Sequence, residues 1–334
     1  MTIEQKSVEG KKVLVVGGTG NIGRALCYVL SRNNQVDVLA RFSDAAVRAE
    51  LEKYCDVLWK RDLSHDSPFD GIPADYDYVF NMAVHWGFSK DIAFGDFDYF
   101  QRVNTLAGAR LMFHFKDTDT AFVMGSTGGV YQPCPPGVAR KESDLAIGGD
   151  NPYEISKIQL EWKTLGLSEM YDIPVSITRY FWPIFPWGGG GPARGTIARI
   201  LRNQTLPKVS SPEGKRPMNL GYISDLTYAT IEAAACAEPA QLNDNPFGCV
   251  YNISGPEPWS LEKIAVQFAE LVGIDVQFEE AEAEGQHETY VADIDKMTKE
   301  LYAPQVNSQQ CLELVARGIK EEVKGPEDWM FEVN

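Results

Sequence analysis

The sequence predicts an α/β fold built on a doubly wound parallel sheet, and three observations support this prediction. Short, unbroken apolar runs recur between residues 13 and 180, as expected for strands that are buried on both faces. Segments with helical periodicity separate these runs, which is the order of repeated strand–helix–strand units. A glycine-rich turn, GGTGNIG at 17–23, directly follows the first apolar run. After about residue 180 the alternation breaks up, which predicts a smaller, partly discontinuous C-terminal lobe.

The turn after the first strand has the features of a dinucleotide site. Val13–Val16 predicts the strand, RALCYVL at 24–30 predicts an amphipathic helix, and Gly17, Gly20 and Gly23 lie between them. Glycine permits the backbone angles of a tight turn and leaves room for a pyrophosphate. The free amides and the positive end of the helix dipole then hold the anion. The spacing is G-x-x-G-x-x-G instead of G-x-G-x-x-G, so the assignment depends on the strand and the helix around it. We therefore expect a Rossmann-type domain.

Composition excludes several classes of protein. The 334 residues are 44% hydrophobic and 23% charged, which is typical of soluble globular proteins. The net charge of −16 argues against a nucleic-acid partner, because nucleic acids bind basic surfaces. There is no signal-peptide pattern and no apolar run of membrane-spanning length. The 6 cysteines and 4 histidines are scattered, so we expect a cytoplasmic protein with reduced thiols and no metal site.

The end of the second predicted strand, Val36–Ala40, bears on the choice of cofactor. An acidic residue at this position binds the adenosine ribose of NAD, whereas a nearby arginine accommodates the phosphate of NADP. Here the strand ends at Arg41, with Ser43 close by. The sequence therefore favours NADP(H). The alternative is that Arg41 is a surface charge and that the site takes NAD(H).

The other elements follow in order from the same patterns. Two of these strand ends carry candidate contacts, because ligands of such sheets lie outside the carboxyl ends of the strands. Asp62 is placed near the adenine, and the aromatic cluster with His85 and Trp86 is placed over the cofactor. The predicted elements are a helix at 44–54, strands at 57–59 and 78–83, a helix at 97–115, a strand at 121–124, a helix from 152, a strand at 175–180, a helix at 196–202, a strand at 220–223, a helix at 225–237, a strand at 250–253 and a helix at 260–272 with Ser260 as its cap.

A tyrosine and a lysine form the candidate catalytic pair. Tyr153 and Lys157 lie four residues apart on a predicted helix, so their side chains share one face. A tyrosine titrates near pH 10, and a neighbouring ammonium favours its phenolate form. Tyr153 is then suited to exchange a proton with an alcohol or a ketone while hydride moves. Thr127, at the end of the fifth strand, supplies a hydroxyl to orient the reacting oxygen, and Ser126 is the neighbouring candidate.

Several motifs in this order resemble those of the extended short-chain dehydrogenases/reductases, the NAD(P)-dependent epimerase/dehydratase group. They run almost from end to end of the chain: GGTGNIG (17–23), Asp62-Leu63, VNTLAGARLM (103–112), STGGVY (126–131), NPY with SK (151–157), RYF (179–181), YISD (222–225) and YNISGPEPWSL (251–261). The resemblance implies a Rossmann body in which Tyr153 is the acid/base, Lys157 assists it, Thr127 positions the substrate and Asn104 supports the site. It also implies a homodimer, formed through two helices from each subunit.

The candidate contacts follow from the motifs and the resemblance together. For the cofactor they are Gly17, Thr19, Gly20, Asn21, Ile22, Arg41, Asp62, Leu63, Ala83, Tyr153, Lys157 and Phe181. For the substrate they are His85, Trp86, Trp182, Phe185, Trp187 and Arg216. We expect the cofactor domain to span 11–180 with returning segments near 220–253. The substrate-binding lobe is then formed by 181–219 and 254–334.

Departures from the group's patterns narrow the chemistry. Dehydratases of nucleotide sugars carry an Asp-Glu pair where this chain has Gly128 and Gly129, so we exclude 4,6-dehydration. Sugar-nucleotide epimerases have a diphosphate-binding asparagine where this chain has Trp182. They also have an arginine at the position of Met218. These changes favour a more apolar substrate, although Arg194 and Arg216 remain available to a phosphate.

Three functions remain open from the sequence. The first is an NAD(P)-dependent oxidoreductase that interconverts a ketone and a secondary alcohol on a small, rather apolar molecule. The second is an epimerase of nucleotide or other sugars that holds NAD tightly through an internal redox cycle. The third is a binding protein that senses the dinucleotide, which would have no need of the Tyr153 proton shuttle.

Overall fold

A computed structural model gives the fold of this chain. It describes residues 8–86, 93–132, 138–149, 151–187, 192–202, 204–207, 217–279 and 291–332.

Strands and helices alternate through the first half of the chain. The strands are β1 (Lys12–Val16), β2 (Gln35–Ala40), β3 (Val57–Lys60), β4 (Tyr78–Asn81), β5 (Ala121–Thr127), β6 (Val175–Tyr180), β7 (Pro183–Ile184), β8 (Leu206–Pro207), β9 (Pro217–Asn219), β10 (Gly221–Tyr222), β11 (Val250–Ile253), β12 (Pro258–Ser260) and β13 (Phe278–Glu279). The helices are α1 (Asn21–Leu30), α2 (Ala45–Leu51), α3 (Phe94–Phe100), α4 (Ala107–His114), α5 (Pro152–Tyr171), α6 (Pro192–Leu201), α7 (Ile223–Ala235), α8 (Leu261–Val272), α9 (Asp295–Glu300) and α10 (Ser308–Lys320).

The main sheet confirms the predicted doubly wound parallel architecture. Its seven strands have the order β11-β6-β5-β4-β1-β2-β3, and every neighbouring pair is parallel. The strand order reverses between β1 and β4, which is where an open sheet of this type binds its ligand. The last strand of the sheet, β11, comes from the second half of the chain. The proposed domain boundaries remain a prediction.

Agreement with the predicted elements is closest where the apolar signal is strongest. The strands at 175–180 and 250–253 have the predicted bounds, and Ser260 caps α8 by accepting a hydrogen bond from the amide of Lys263 at 3.1 Å. The long helix predicted at 97–115 is present as a continuous helical run from Phe94 to His114, in which a π-helical stretch at Gln101–Leu106 lies between α3 and α4. A π-helical stretch inserts into a helix mostly at functional sites. The sequence analysis also missed α9 and α10.

The C-terminal half packs around a second apolar core, and the end of the chain returns to α1. This core combines residues from α6, α8 and α10 with Trp187, Met218 and Trp259. The guanidinium of Arg24, on α1, donates to the carbonyl of Lys324 at 2.6 Å. The cofactor-binding half and the C-terminal half therefore share a continuous contact along α1.

The described residues contain neither a membrane-spanning helix nor a metal-binding cluster. In those residues, no helix combines the length and the apolar character needed to cross a membrane. Over the same ranges, no group of three or more His, Cys, Asp or Glu side chains could hold a metal ion.

Candidate active site

The glycine turn lies where the strand order reverses, and its geometry fits a dinucleotide. Gly17 has φ +83°, and a Cβ there would lie 2.5 Å from the backbone nitrogen of Ala83. A Cβ at Gly23 would collide with the carbonyl oxygen of Gly17. Gly20 precedes α1 without a side-chain cap, and the first turn of α1 contains no acidic residue. The start of α1 is therefore open to an anion, as the pyrophosphate of a dinucleotide requires.

The other residues of the turn connect it to the rest of the molecule. Asn21 accepts a hydrogen bond from Nε1 of Trp187 at 3.1 Å. Thr19 and Ile22 are half-buried, and Ile22 packs against the apolar core. Trp187, which the sequence analysis assigned to the substrate, is thus buried against the cofactor turn.

The residues assigned to the adenosine lie at the ends of β2 and β3. Arg41 is exposed directly after β2 and donates from Nη1 to the hydroxyl of Tyr99 at 3.0 Å. Burial raises the pKa of Asp62, but hydrogen bonds from Ser64 and the charge of Arg41 outweigh it, so the net shift is downward. Leu63 is buried in the core. The charge of Arg41 thus acts on the carboxylate of Asp62. Tyr99 is a neighbour of Arg41 that was not predicted from the sequence.

Asn104 holds the segment after β4 against the catalytic helix. Its side chain accepts from the His85 amide at 2.6 Å and donates to the His85 carbonyl at 2.8 Å and to Oγ of Ser156 at 2.9 Å. Asn104 belongs to the π-helical stretch. The His85 ring packs near the rings of Tyr99 and Phe100. Burial lowers the pKa of His85, and the positive charge of Arg41 lowers it further. The supporting role expected of Asn104 thus has a specific geometry.

The candidate catalytic pair, Tyr153 and Lys157, lies in the first two turns of α5. Tyr153 is buried, and its side chain is hydrogen-bonded to that of Thr127. Burial raises the pKa of Tyr153 to about 12, and the Thr127 hydrogen bond opposes this shift. Nζ of Lys157 donates to the carbonyl of Gly125 at 2.8 Å, and burial lowers the pKa of Lys157 to about 8. Without ligands, Tyr153 keeps its proton at neutral pH while Lys157 is largely cationic.

Thr127 and Ser126 point to different partners, because successive side chains of a strand lie on opposite faces. Thr127 contacts Tyr153, whereas Ser126 donates from Oγ to the carboxylate of Glu161. The structure therefore brings Thr127, and not Ser126, to the catalytic tyrosine.

Neighbouring side chains lie close to the positions that a Cβ would take at Gly128 and Gly129. A Cβ at Gly128 would lie 2.7 Å from the ring of Phe181, and one at Gly129 would lie 2.6 Å from Oε1 of Glu154. The ring of Phe181 thus fills the space beside Gly128, whereas the space beside Gly129 is taken by the flexible end of Glu154. Phe181 is held there by its amide, which donates to the Ile253 carbonyl at 3.0 Å.

The other residues that were predicted to contact the substrate differ in how deeply they are buried. Phe185 is buried in the C-terminal core together with Trp187, so both contribute to packing in this structure. Trp182 is half-buried with φ +44°, a conformation that is costly for a bulky residue. Trp86 is 52% exposed next to His85. Arg216 lies outside the described residues.

The turn and the catalytic pair, at one edge of a doubly wound sheet, define a dinucleotide-dependent enzyme of the short-chain dehydrogenase/reductase class. The chain belongs to the NAD dependent epimerase/dehydratase family, whose model matches residues 13–253.

Similar proteins have related but different activities. A UDP-N-acetyl-alpha-D-glucosaminuronate decarboxylase from Bacillus cytotoxicus is 25% identical over 274 residues, covering 78% of this chain and 80% of the relative. The fold matches UDP-glucuronic acid 4-epimerase from Bacillus cereus, solved with UDP-glucuronic acid and NAD, with a TM-score of 0.78. That match has 24% identity and covers 93% of this chain and 99% of the other. A UDP-N-acetylglucosamine 4-epimerase from Methanobrevibacter ruminantium M1, in complex with UDP-N-acetylmuramic acid, matches with a TM-score of 0.79 at 19% identity, covering 95% and 100% of the two chains.

Proposed function

We propose that the protein is a sugar epimerase: it oxidises one secondary alcohol of its substrate and reduces the resulting ketone from the opposite face. The observation that carries this proposal is the hydrogen-bonded Thr127–Tyr153 pair with Lys157 one turn further along α5. The similar proteins, a decarboxylase of a nucleotide sugar and two epimerases, support a nucleotide-sugar substrate. This reverses the preference of the sequence analysis, which placed the epimerase second.

The residues of the site divide the proton chemistry between them. When bound, the nicotinamide supplies a hydride acceptor and donor. Thr127 orients the reacting oxygen, and Tyr153 takes the alcohol proton and later returns it. The ammonium of Lys157 lowers the cost of the phenolate that Tyr153 forms during this exchange. Because one tyrosine serves both half-reactions, the substrate ring must turn over between them.

Arg194 supports an anionic substrate. It lies in the first turn of α6, and its Nη1 is buried without a hydrogen-bond partner in the part of the chain that the structure describes. Arg194 is half-buried, and this burial lowers its pKa. A buried cation is costly unless it is paired, so an anionic group of the substrate would stabilise it. A diphosphate or a sugar carboxylate has this chemistry.

A second function, a net ketone/alcohol oxidoreductase, is favoured by one pair of residues. Trp182 and Met218 stand where diphosphate-binding side chains are expected, and Met218 is fully buried in the C-terminal core. Such an enzyme would exchange its cofactor in every cycle. The two functions thus predict different cofactor retention.

One experiment separates them. We would denature the purified protein, identify the released dinucleotide and measure its stoichiometry. The protein would then be incubated with UDP-glucuronic acid in D2O. The epimerase predicts about one tightly held dinucleotide per chain, and an epimerised product that keeps its original carbon-bound hydrogen. An empty site, no epimerised product and NAD(P)H-dependent reduction of simple ketones would establish the oxidoreductase instead.

Under the oxidoreductase alternative, Arg41 is proposed to give the site a preference for NADP(H). Replacing it in R41S removes the charge next to the adenosine ribose. Charge-assisted hydrogen bonds contribute about 1.5–3 kcal/mol, so NADPH should bind about 10- to 100-fold more weakly while NADH is little affected. Fluorescence titration of both cofactors measures this. R48S, in which an exposed Arg48–Glu52 pair is lost, is the control. Equal affinities of the unaltered protein for the two cofactors would refute the preference.

A homodimer is proposed on the exposed apolar residues of α4 and α5. Phe113 is 48% exposed, Trp162 55% and Met170 69%. The resemblance implies a contact made by two helices from each subunit. We expect sedimentation to give twice the monomer mass, and W162E to shift it to the monomer. L271E introduces the same charge at a 39%-exposed residue of α8 and should leave the mass unchanged.

A further inference from the structure

A buried ion pair between Glu161 of α5 and Arg179 of β6 has no role in the proton transfer described above. Only 2% of the Glu161 side chain and 1% of the Arg179 side chain are exposed. Arg179 donates from Nε and Nη2 to the two carboxylate oxygens of Glu161, at 3.0 and 2.7 Å. Burying two ions costs several kcal/mol each, and apolar residues of similar volume often serve as well. The pair therefore calls for a functional reason.

The surroundings hold both charges in fixed positions. Ser126 donates its hydroxyl to Glu161, next to the two bonds from Arg179. Arg179 also donates to the hydroxyl of Tyr131 and, at 3.1 Å, to the carbonyl of Glu142. Its guanidinium lies 4.7 Å from the centre of the Tyr131 ring. With this many bonds, neither charge can turn away from the catalytic helix.

Lys157 is the catalytic group that these charges can reach. Glu161 lies one turn after it on α5, so the two side chains share a face. The Lys157 ammonium is 3% exposed and donates to a neutral acceptor, the Gly125 carbonyl. On β5 and β6, Ser126 is in register with Arg179, directly after Gly125. Burial therefore disfavours the charged form of Lys157, and the carboxylate of Glu161 favours it.

We propose that Glu161 and Arg179 are a positioning pair that sets the charge of Lys157. The negative charge of Glu161 keeps the side chain of Lys157 protonated. Arg179 holds Glu161 in place, and its positive charge weakens the effect of Glu161 on Lys157. The other titratable side chains that face these groups in the described part of the chain include Tyr153, Tyr131, Glu142, Cys249 and Lys296. The inference rests on the proposed role of Lys157 beside Tyr153, and it applies to the epimerase and to the oxidoreductase alike.

The test is an NMR titration of the full, ligand-free chain labelled with 13C at the lysine ε carbon, with K157R identifying the Lys157 signal. E161Q removes the supporting charge and should lower the Lys157 midpoint by about one pH unit. R179Q leaves the Glu161 charge uncompensated and should raise the midpoint. The double variant E161Q/R179Q should fall between E161Q and the unaltered protein. E169Q makes the same change at an exposed residue of α5 and should not move the midpoint.

A purely structural pair gives a different pattern. In that case the two single variants lose stability without opposite shifts, and a shared direction or unmoved midpoints would overturn the proposal. If a single variant does not fold, the double variant decides: a midpoint below that of the unaltered protein supports the proposal, and an equal one overturns it. Because the titration uses no substrate, its failure is separable from a failure of the proposed reaction.

Discussion

Y153F should lose turnover by about 10²- to 10⁴-fold, because it removes the only group that we assign to proton exchange with the substrate oxygen. The ring stays in place, so the apolar packing of the buried side chain is kept. The lost hydroxyl also ends the hydrogen bond to Thr127. That bond contributes about 1 kcal/mol, which a folded domain tolerates. Dinucleotide affinity should change by no more than a few-fold, since the glycine turn is untouched.

The measurement is kcat with the substrate that the unaltered protein converts, together with a fluorescence titration of the dinucleotide. Y171F is the matched control, because it removes a hydroxyl from a 38%-exposed tyrosine at the far end of the same helix. It should keep full turnover. Retained turnover in Y153F would remove this residue from the mechanism.

The sequence was sufficient for those parts of the fold that local pattern determines. Apolar runs predicted the core strands, because a strand buried on both faces tolerates few polar residues. Pro152 marked the start of α5, since proline suits the first helical position. The structure adds Asn151 as the cap, which accepts from the Glu154 amide at 3.0 Å. The glycine turn and the Tyr153–Lys157 spacing were equally visible, since each is contained in one short stretch.

Features that depend on contacts between distant parts of the chain could not be predicted from the sequence. Phe185 and Trp187 carry an aromatic pattern that suits a ligand site, but packing against α8 and the glycine turn buries them. The carboxylate that closes the space at Gly129 comes from Glu154, across a loop and on another element. One missed signal was local: Glu161 stands four residues after Lys157, the same spacing that identified the catalytic pair. Its partner Arg179 is on a different strand, so the ion pair itself required the structure.

G17A should abolish tight dinucleotide binding and should lower the stability of the fold. Two costs combine at this position. With φ +83°, an L-residue is strained by about 1–2 kcal/mol. The added methyl would also lie 2.5 and 2.6 Å from the backbone nitrogen and Cα of Ala83. Backbone atoms cannot rotate away as a side chain does, so the ends of β1 and β4 must separate, which adds about 1–3 kcal/mol.

A matched variant separates the two costs. Gly71 has φ +76° but has no atom within 4 Å of an added Cβ, so G71A carries the backbone strain alone. The difference in free energy of unfolding between G17A and G71A then measures the collision at the strand ends. Chemical denaturation of both variants gives this difference, and dinucleotide titration should show a large loss of affinity in G17A only. If both variants bind equally well, the carboxyl ends of β1 and β4 do not form the cofactor site. The pyrophosphate would then have to be placed elsewhere on the sheet.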